Sequence, residues 1–141
     1  MKKNVLLFLI STVVFLLIDL LWLGLLAKSF YQEHLSHLLT SEFKLIPATI
    51  LYITFNMGLV ALVLKPGLKE DSFKKIVIYA LVYGLATYGT YDLTNYATMN
   101  GFPLLIVVVD IIWGMTLTLL TTSITYIIYR RFTKNERNSN I

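Results

Sequence analysis

The chain has 141 residues, 57% of them hydrophobic and only 14% charged, where a soluble domain of this size carries about a quarter charged residues. A water-facing surface cannot be covered with so few polar groups, so a soluble globule is excluded and lipid is the expected solvent. Cysteine is absent, which excludes disulfides, thiolate metal sites and cysteine nucleophiles. The net charge of +4 flanks apolar segments and forms no basic patch with interleaved aromatics, so no nucleic-acid partner is expected.

A helix needs about 20 mostly apolar residues to cross a bilayer, and four segments qualify: about 4–27, 45–64, 76–96 and 103–129. The first follows Met1-Lys2-Lys3. Its apolar run is too long for a signal-peptide core and no A-x-A cleavage site follows, so it reads as a retained helix. Residues 29–40 predict a short amphipathic helix on the outer membrane surface. Ser29 and Gln32 fit a capping box, and Phe30, Tyr31, His34, Leu35, Leu38 and Leu39 recur at helical spacing. His34 and His37 stand three residues apart, but nothing nearby completes a ligand set, so no metal site is expected.

The second span aligns Ala48, Tyr52 and Asn56 on one face, and Lys65-Pro66-Gly67 is expected to break it and open a turn. The third aligns Ala80, Gly84, Tyr88, Asp92 and Tyr96, with Asn95 beside them. Small residues at one end of that stripe permit close helix contact, and the other end is polar. Asn100-Gly101-Phe102-Pro103 predicts a tight turn into the fourth span, where Asp110, Gly114, Thr118 and Thr122 share a face. Thr116, Thr118, Thr121, Thr122, Ser123 and Thr125 offer a polar path, but they read rather as bonding back to their own helix. Residues 1–133 thus form one all-α domain, a polytopic four-helix membrane bundle, and residues 134–141 a polar, disordered tail.

Ten of the twelve Lys and Arg residues fall on one side of this topology, and only Lys28 and Lys44 on the other. That bias puts both termini and the second loop in the cytoplasm.

Three acids lie inside the spans: Asp19, Asp92 and Asp110. Asp19 and Asp110 sit at nearly the same level, roughly 10–12 Å below the outer boundary at 1.5 Å per residue, and Asp92 slightly higher. An aspartate at mid-membrane is disfavoured by about 2.5–3.5 kcal/mol, so acids in this position mark a site. Turning the polar stripes inward makes a pocket that opens outward. Its candidate residues are Asp19, Asp92, Asp110, Tyr88, Tyr91, Asn95, Trp113, Trp22, Tyr52 and Asn56. Asp19…Trp22 is echoed by Asp110…Trp113 in antiparallel helices. Trp22 therefore lies outward of its aspartate, like a belt residue, whereas Trp113 lies too deep for that and packs in the bundle or walls the pocket.

The string Tyr91-Asp92-Leu93-Thr94-Asn95-Tyr96-Ala97-Thr98 with Gly101-Phe102-Pro103, and the Asp19…Trp22 and Asp110…Trp113 blocks, resemble a bacterial membrane-protein family, the domain of unknown function 2177. The resemblance spans essentially the whole chain. It implies a four-helix prokaryotic membrane protein and no particular activity.

The expected function is a small transporter or ligand-binding protein that takes a proton, a cation or a cationic polar solute from the outer side. Beyond the lipid bilayer and that ligand, a second copy is the expected partner, because four helices are narrow for a transporter. One alternative is a membrane-embedded enzyme acting on a lipid or isoprenoid, with paired aspartates as acid and base. The chain lacks H-E-x-x-H, a glycine-rich phosphate loop, an acidic metal cluster and any nucleophile motif, so the balance leans away from an enzyme, and no cofactor is expected. The other alternative is an accessory or scaffold subunit whose aspartates are interhelical glue.

Overall fold

In a computed structural model, which describes residues 2–39 and 42–139, the chain is helical almost throughout, with no strand among the described residues. Helix α1, Lys2–Leu21, continues into a wider π-helical turn, Trp22–Leu26, closed by the Ala27 N–H on the Trp22 carbonyl at 2.8 Å. Ala27 leaves helical geometry and α2, Lys28–Leu35, folds back. Helix α3, Leu45–Leu59, runs through a second π-helical turn, Val60–Leu64, into α4, Lys65–Lys69. Helices α5, Phe73–Thr98, and α6, Leu104–Ser139, complete the fold.

Among the described residues, three helical stretches are long and apolar enough to cross a membrane: Lys3–Leu26, Leu45–Lys69 and Leu104–Thr133. Helix α5 has the length, 26 residues, but its tyrosines, threonines, Asn95 and Asp92 lower its hydropathy. On α1 the two faces separate cleanly. Leu7, Ser11, Phe15 and Asp19 are buried at four-residue spacing, while Val5, Leu9, Val13 and Leu17 are exposed, which is the pattern of a helix between protein and lipid.

Helices α5 and α6 form the tightest seam. Thr118 donates its hydroxyl to the Ala80 carbonyl across the interface at 2.9 Å and to its own Gly114 carbonyl at 2.8 Å. A Cβ on Gly84 would lie 2.5 Å from the Gly114 oxygen, so only glycine permits this approach. Helix α3 meets α5 where Phe55 packs edge-on against Tyr83 and Tyr88, and the Tyr83 hydroxyl bonds the Phe55 carbonyl at 2.9 Å.

Three local expectations are corrected. Pro66 and Gly67 do not end the second span: α4 carries the helix through them to Lys69. The π-helical turn just before Pro66 explains this, because its extra residue displaces the carbonyl that the proline ring would strike and whose bond proline cannot make. The turn comes instead at Asp71, with φ 47°, and Ser72, whose hydroxyl accepts the Lys75 N–H at 3.3 Å to start α5. Ser29 is not the cap of α2; the helix begins earlier, after Ala27, and has no side-chain cap. It ends at Leu35, short of the expected 40, and its Phe30, Tyr31 and Leu35, with Leu38 in the turn beyond, pack on Phe102, Ile106 and Val107 at the start of α6. Position 40, at the end of the expected helix, lies outside the described residues. Helix also persists through Ser139, where a tail was expected from Lys134.

Candidate functional site

The echo read in the sequence is a physical crossing. Helices α1 and α6 run antiparallel and meet at Trp22 and Trp113, whose rings stack at 4.2 Å with planes 10° apart. Each aspartate then finds donors from the partner block. Asp19, 4% exposed, accepts the Tyr52 hydroxyl at 3.0 Å on one oxygen and the Trp113 indole N–H at a longer 3.4 Å on the other. Asp110 accepts the Tyr31 hydroxyl, which in turn accepts the Trp22 indole N–H at 3.1 Å. The tryptophans thus serve the carboxylates crosswise, one directly and one through a tyrosine.

Tyr31 reaches Asp110 because the π-helical turn and Ala27 swing α2 back over the end of α6. Burial first, and then its bond to Asp110, raise the Tyr31 hydroxyl above the ordinary tyrosine range, so it remains a donor.

Asp92 completes the group from α5. It is fully buried, neither of its oxygens has a hydrogen-bond partner among the described residues, and it lies beside Asp110. Two carboxyls side by side, one of them fully buried, favour a proton or a cation between them, since two bare charges there would repel.

A cavity of about 580 Å³ opens above these acids. It is lined by Asp19 and Asp110 with Tyr52, Tyr88 and Trp113, by Phe15, Phe55, Leu51 and Tyr91, and by Lys28, Tyr31, Gln32 and Leu35 of α2. Six of the ten sequence candidates therefore line one cavity: Asp19, Asp110, Tyr52, Tyr88, Tyr91 and Trp113. Asp92 and Trp22 stand behind it, against Asp110 and Trp113. Asn56 is buried away from it, its amide bonded to the Tyr52 carbonyl at 3.0 Å. Asn95 does not line it, and Tyr96, the end of the α5 stripe, is exposed.

Among the lining residues that sequence reasoning missed are Tyr31, Phe15, Phe55, Lys28 and Gln32. Phe15 stands four residues before Asp19 on the same face, a signal that was available. Lys28 counted only as a topology charge. The histidines do not converge as ligands: His34 bonds the Phe30 carbonyl at 2.9 Å, and His37 bonds the Gly101 carbonyl at 3.1 Å, tying the chain after α2 to the α5–α6 turn. Thr116, Thr118 and Thr122 bond their own helix as read, on the Ile112, Gly114 and Thr118 carbonyls. Thr121 and Thr125 are exceptions, buried with no partner among the described residues.

The family described as predicted membrane protein (DUF2177) matches residues 4–127, and the chain belongs to it. The match takes in Asp19…Trp22, the Tyr91–Thr98 string and Asp110…Trp113. No curated protein and no solved structure matches the chain.

Proposed function

Starting from a membrane-protein family and the geometry of this cavity, we propose that the protein is a small membrane-embedded binding or transport protein whose aspartate/tyrosine site takes a proton, a cation or a cationic solute. The observation that carries this reading is the meeting of Asp19 and Asp110, from two helices, in the lining of one aromatic-lined cavity, with Asp92 of a third helix against Asp110 behind it. The donors around them are tyrosines and tryptophans, and none of the three forms an ion pair among the described residues. Carboxylates in a cavity lining that no ion pair neutralises favour a cation over an anion or a neutral solute.

Four crossings belong to the same proposal. At 26 residues α5 is about 39 Å long by the α-helical rise, and it packs along α6, so it crosses with α6 despite its lower hydropathy. The lysine and arginine bias then orients both termini toward the cytoplasm of a bacterial inner membrane, with the cavity opening outward.

The test is proton counting. Purified protein in lipid nanodiscs, weakly buffered with a pH-reporting dye, is titrated with potassium, methylammonium and 4-phenylbutylammonium. Binding of at least one of them with release of about one proton per site, abolished by Asp110→Asn, supports the site. If none of them binds or releases a proton, the reading is overturned.

A further inference from the structure

The cavity is too large and too apolar for a bare ion. Its volume of about 580 Å³ compares with about 30 Å³ for one water in the liquid and lies within the range of pockets that hold drug-sized molecules. Besides the carboxylates the lining is largely aromatic and aliphatic, with Leu23, Leu39, Leu51, Phe55 and Tyr91. An inorganic cation would leave that surface uncovered.

The two ways in differ. At the end crossed by α2, Lys28 and Gln32 contribute to the lining, and an ammonium there repels cations arriving from water. On the flank between α3 and α5 the lining residues are Leu51 and Tyr91, which are 61% and 63% exposed. No charge guards that flank, and in a bilayer it faces acyl chains. An anionic amphiphile fits less well, since its head would meet Asp19 and Asp110 or leave its tail against them.

Resting on the carboxylate site proposed above, we infer that the ligand is an amphiphilic cation, one ammonium on an apolar body, that enters sideways from the membrane between α3 and α5. Its ammonium meets Asp19 and Asp110, and its body lies against Leu51 and Phe55. The α2 end, with Lys28, excludes small hydrated cations.

The experiment compares 4-phenylbutylammonium, methylammonium and 4-phenylbutyrate on the full chain in nanodiscs by calorimetric titration, with empty nanodiscs subtracting simple partition. The first probe binds at least about tenfold more tightly than the second, because each buried methylene contributes about 0.8 kcal/mol. The phenylbutyrate shows no binding beyond partition. Lys28→Gln narrows the ratio between the two ammonium probes by admitting methylammonium from water. Methylammonium binding as tightly as phenylbutylammonium, or phenylbutyrate binding equally well, overturns the amphiphile and leaves a cation or polar site to be accounted for. If neither ammonium probe binds while potassium releases a proton, the amphiphile also fails and the carboxylate site stands. If all three cations are silent, both readings fall together. Near-ultraviolet circular dichroism of the Trp22–Trp113 stack verifies that Lys28→Gln, a change at an exposed position, leaves the fold intact.

Discussion

Along α5, Ala80 and Gly84 bring the backbone so close to α6 that Thr118 bonds the Ala80 carbonyl at 2.9 Å. Two turns further on, about 12 Å along the axis, Asp92 is fully buried with neither oxygen bonded. Across the same stretch α3 touches α5 at Phe55 and then presents Leu51 and Ile50 outward, exposed. One half of the bundle is therefore zipped by small residues and hydroxyl–carbonyl bonds, and the other is wedged open by large rings over a cluster of acids. The zipped half stabilises the fold. The open half holds groups that a membrane disfavours, and that is the arrangement expected of a site kept for function at a cost in stability.

The largest effect belongs to the zipped half. At Gly84 a Cβ would meet backbone, the Gly114 oxygen at 2.5 Å, and backbone cannot swing aside. Gly84→Ala should lose stability at or beyond the upper end of the about 1–3 kcal/mol of an overpacked core, seen as lost folded yield or a strongly lowered melting temperature in detergent. At Gly114 the Cβ would strike the Tyr88 ring, at 2.2 Å from its Cγ. A ring can tilt, so Gly114→Ala should cost less but push Tyr88 into the cavity and weaken ligand binding. Equal losses at both glycines with unchanged binding would dissolve the distinction between the halves.

The next effect lies in the open half. Tyr52→Phe and Trp113→Phe each strip one donor from buried Asp19, and each should cost about 1–3 kcal/mol in thermal melts. Trp113→Phe also weakens the stack on Trp22. In an Asp19→Leu background Tyr52→Phe should become nearly neutral, because no carboxylate remains to be stranded. A full cost for Tyr52→Phe in that background would mean that the tyrosine packs and does not serve the acid.

Much of this comparison was legible in the residues. The spacing of Ala80, Gly84 and Tyr88 on one helix and Gly114 and Thr118 on the next announced a close seam, and depth along the spans announced that Asp19 and Asp110 would be level. Tyr31 was not legible, for a physical reason. An apolar helix face packs equally well on lipid or on protein, so Phe30, Tyr31 and Leu35 suited a membrane surface as well as the start of α6. Nor could Val60–Leu64 be seen as a π-helical turn, since nothing in a run of valine and leucine distinguishes i→i+5 from i→i+4 bonding. Without that turn Pro66 reads as a helix stop. Lys28 was hidden by its other meaning, because a lysine at the end of a span is an ordinary topology signal.

A smaller effect, of opposite sign, is expected at Asp92. Asparagine keeps its shape, removes a buried acid that has no partner, and can turn an amide donor toward Asp110. Asp92→Asn should therefore melt higher at neutral pH, by an amount on the order of 1 kcal/mol, while the cation-linked proton release falls. A lower melting temperature would instead make Asp92 structural glue and draw the open half into the stability of the fold.

The smallest effect falls outside both halves, where the α4–α5 turn meets α6. Asp71 holds φ 47° and pairs with Arg130 at 2.6 Å, and Arg130 also donates to the Tyr126 hydroxyl at 2.6 Å. Both partners of the ion pair are half or more exposed, 69% and 52%, so the pair itself contributes at most about 1 kcal/mol. The left-handed backbone works against it, since any residue with a Cβ is strained there, aspartate less than most. Asp71→Gly therefore removes a small attraction and a small strain together, and its melting temperature should stay within a degree or two of the parent, on the order of 0.5 kcal/mol. Asp71→Ala removes the attraction and keeps the strain, so it should fall below the glycine variant. The gap between the two variants measures the backbone alone, and it should survive high salt, whereas the difference between the parent and Asp71→Asn should shrink as salt screens the pair. If alanine and glycine melt together, the strain at Asp71 is negligible, and the position of the turn rests on Ser72 capping α5 at 3.3 Å.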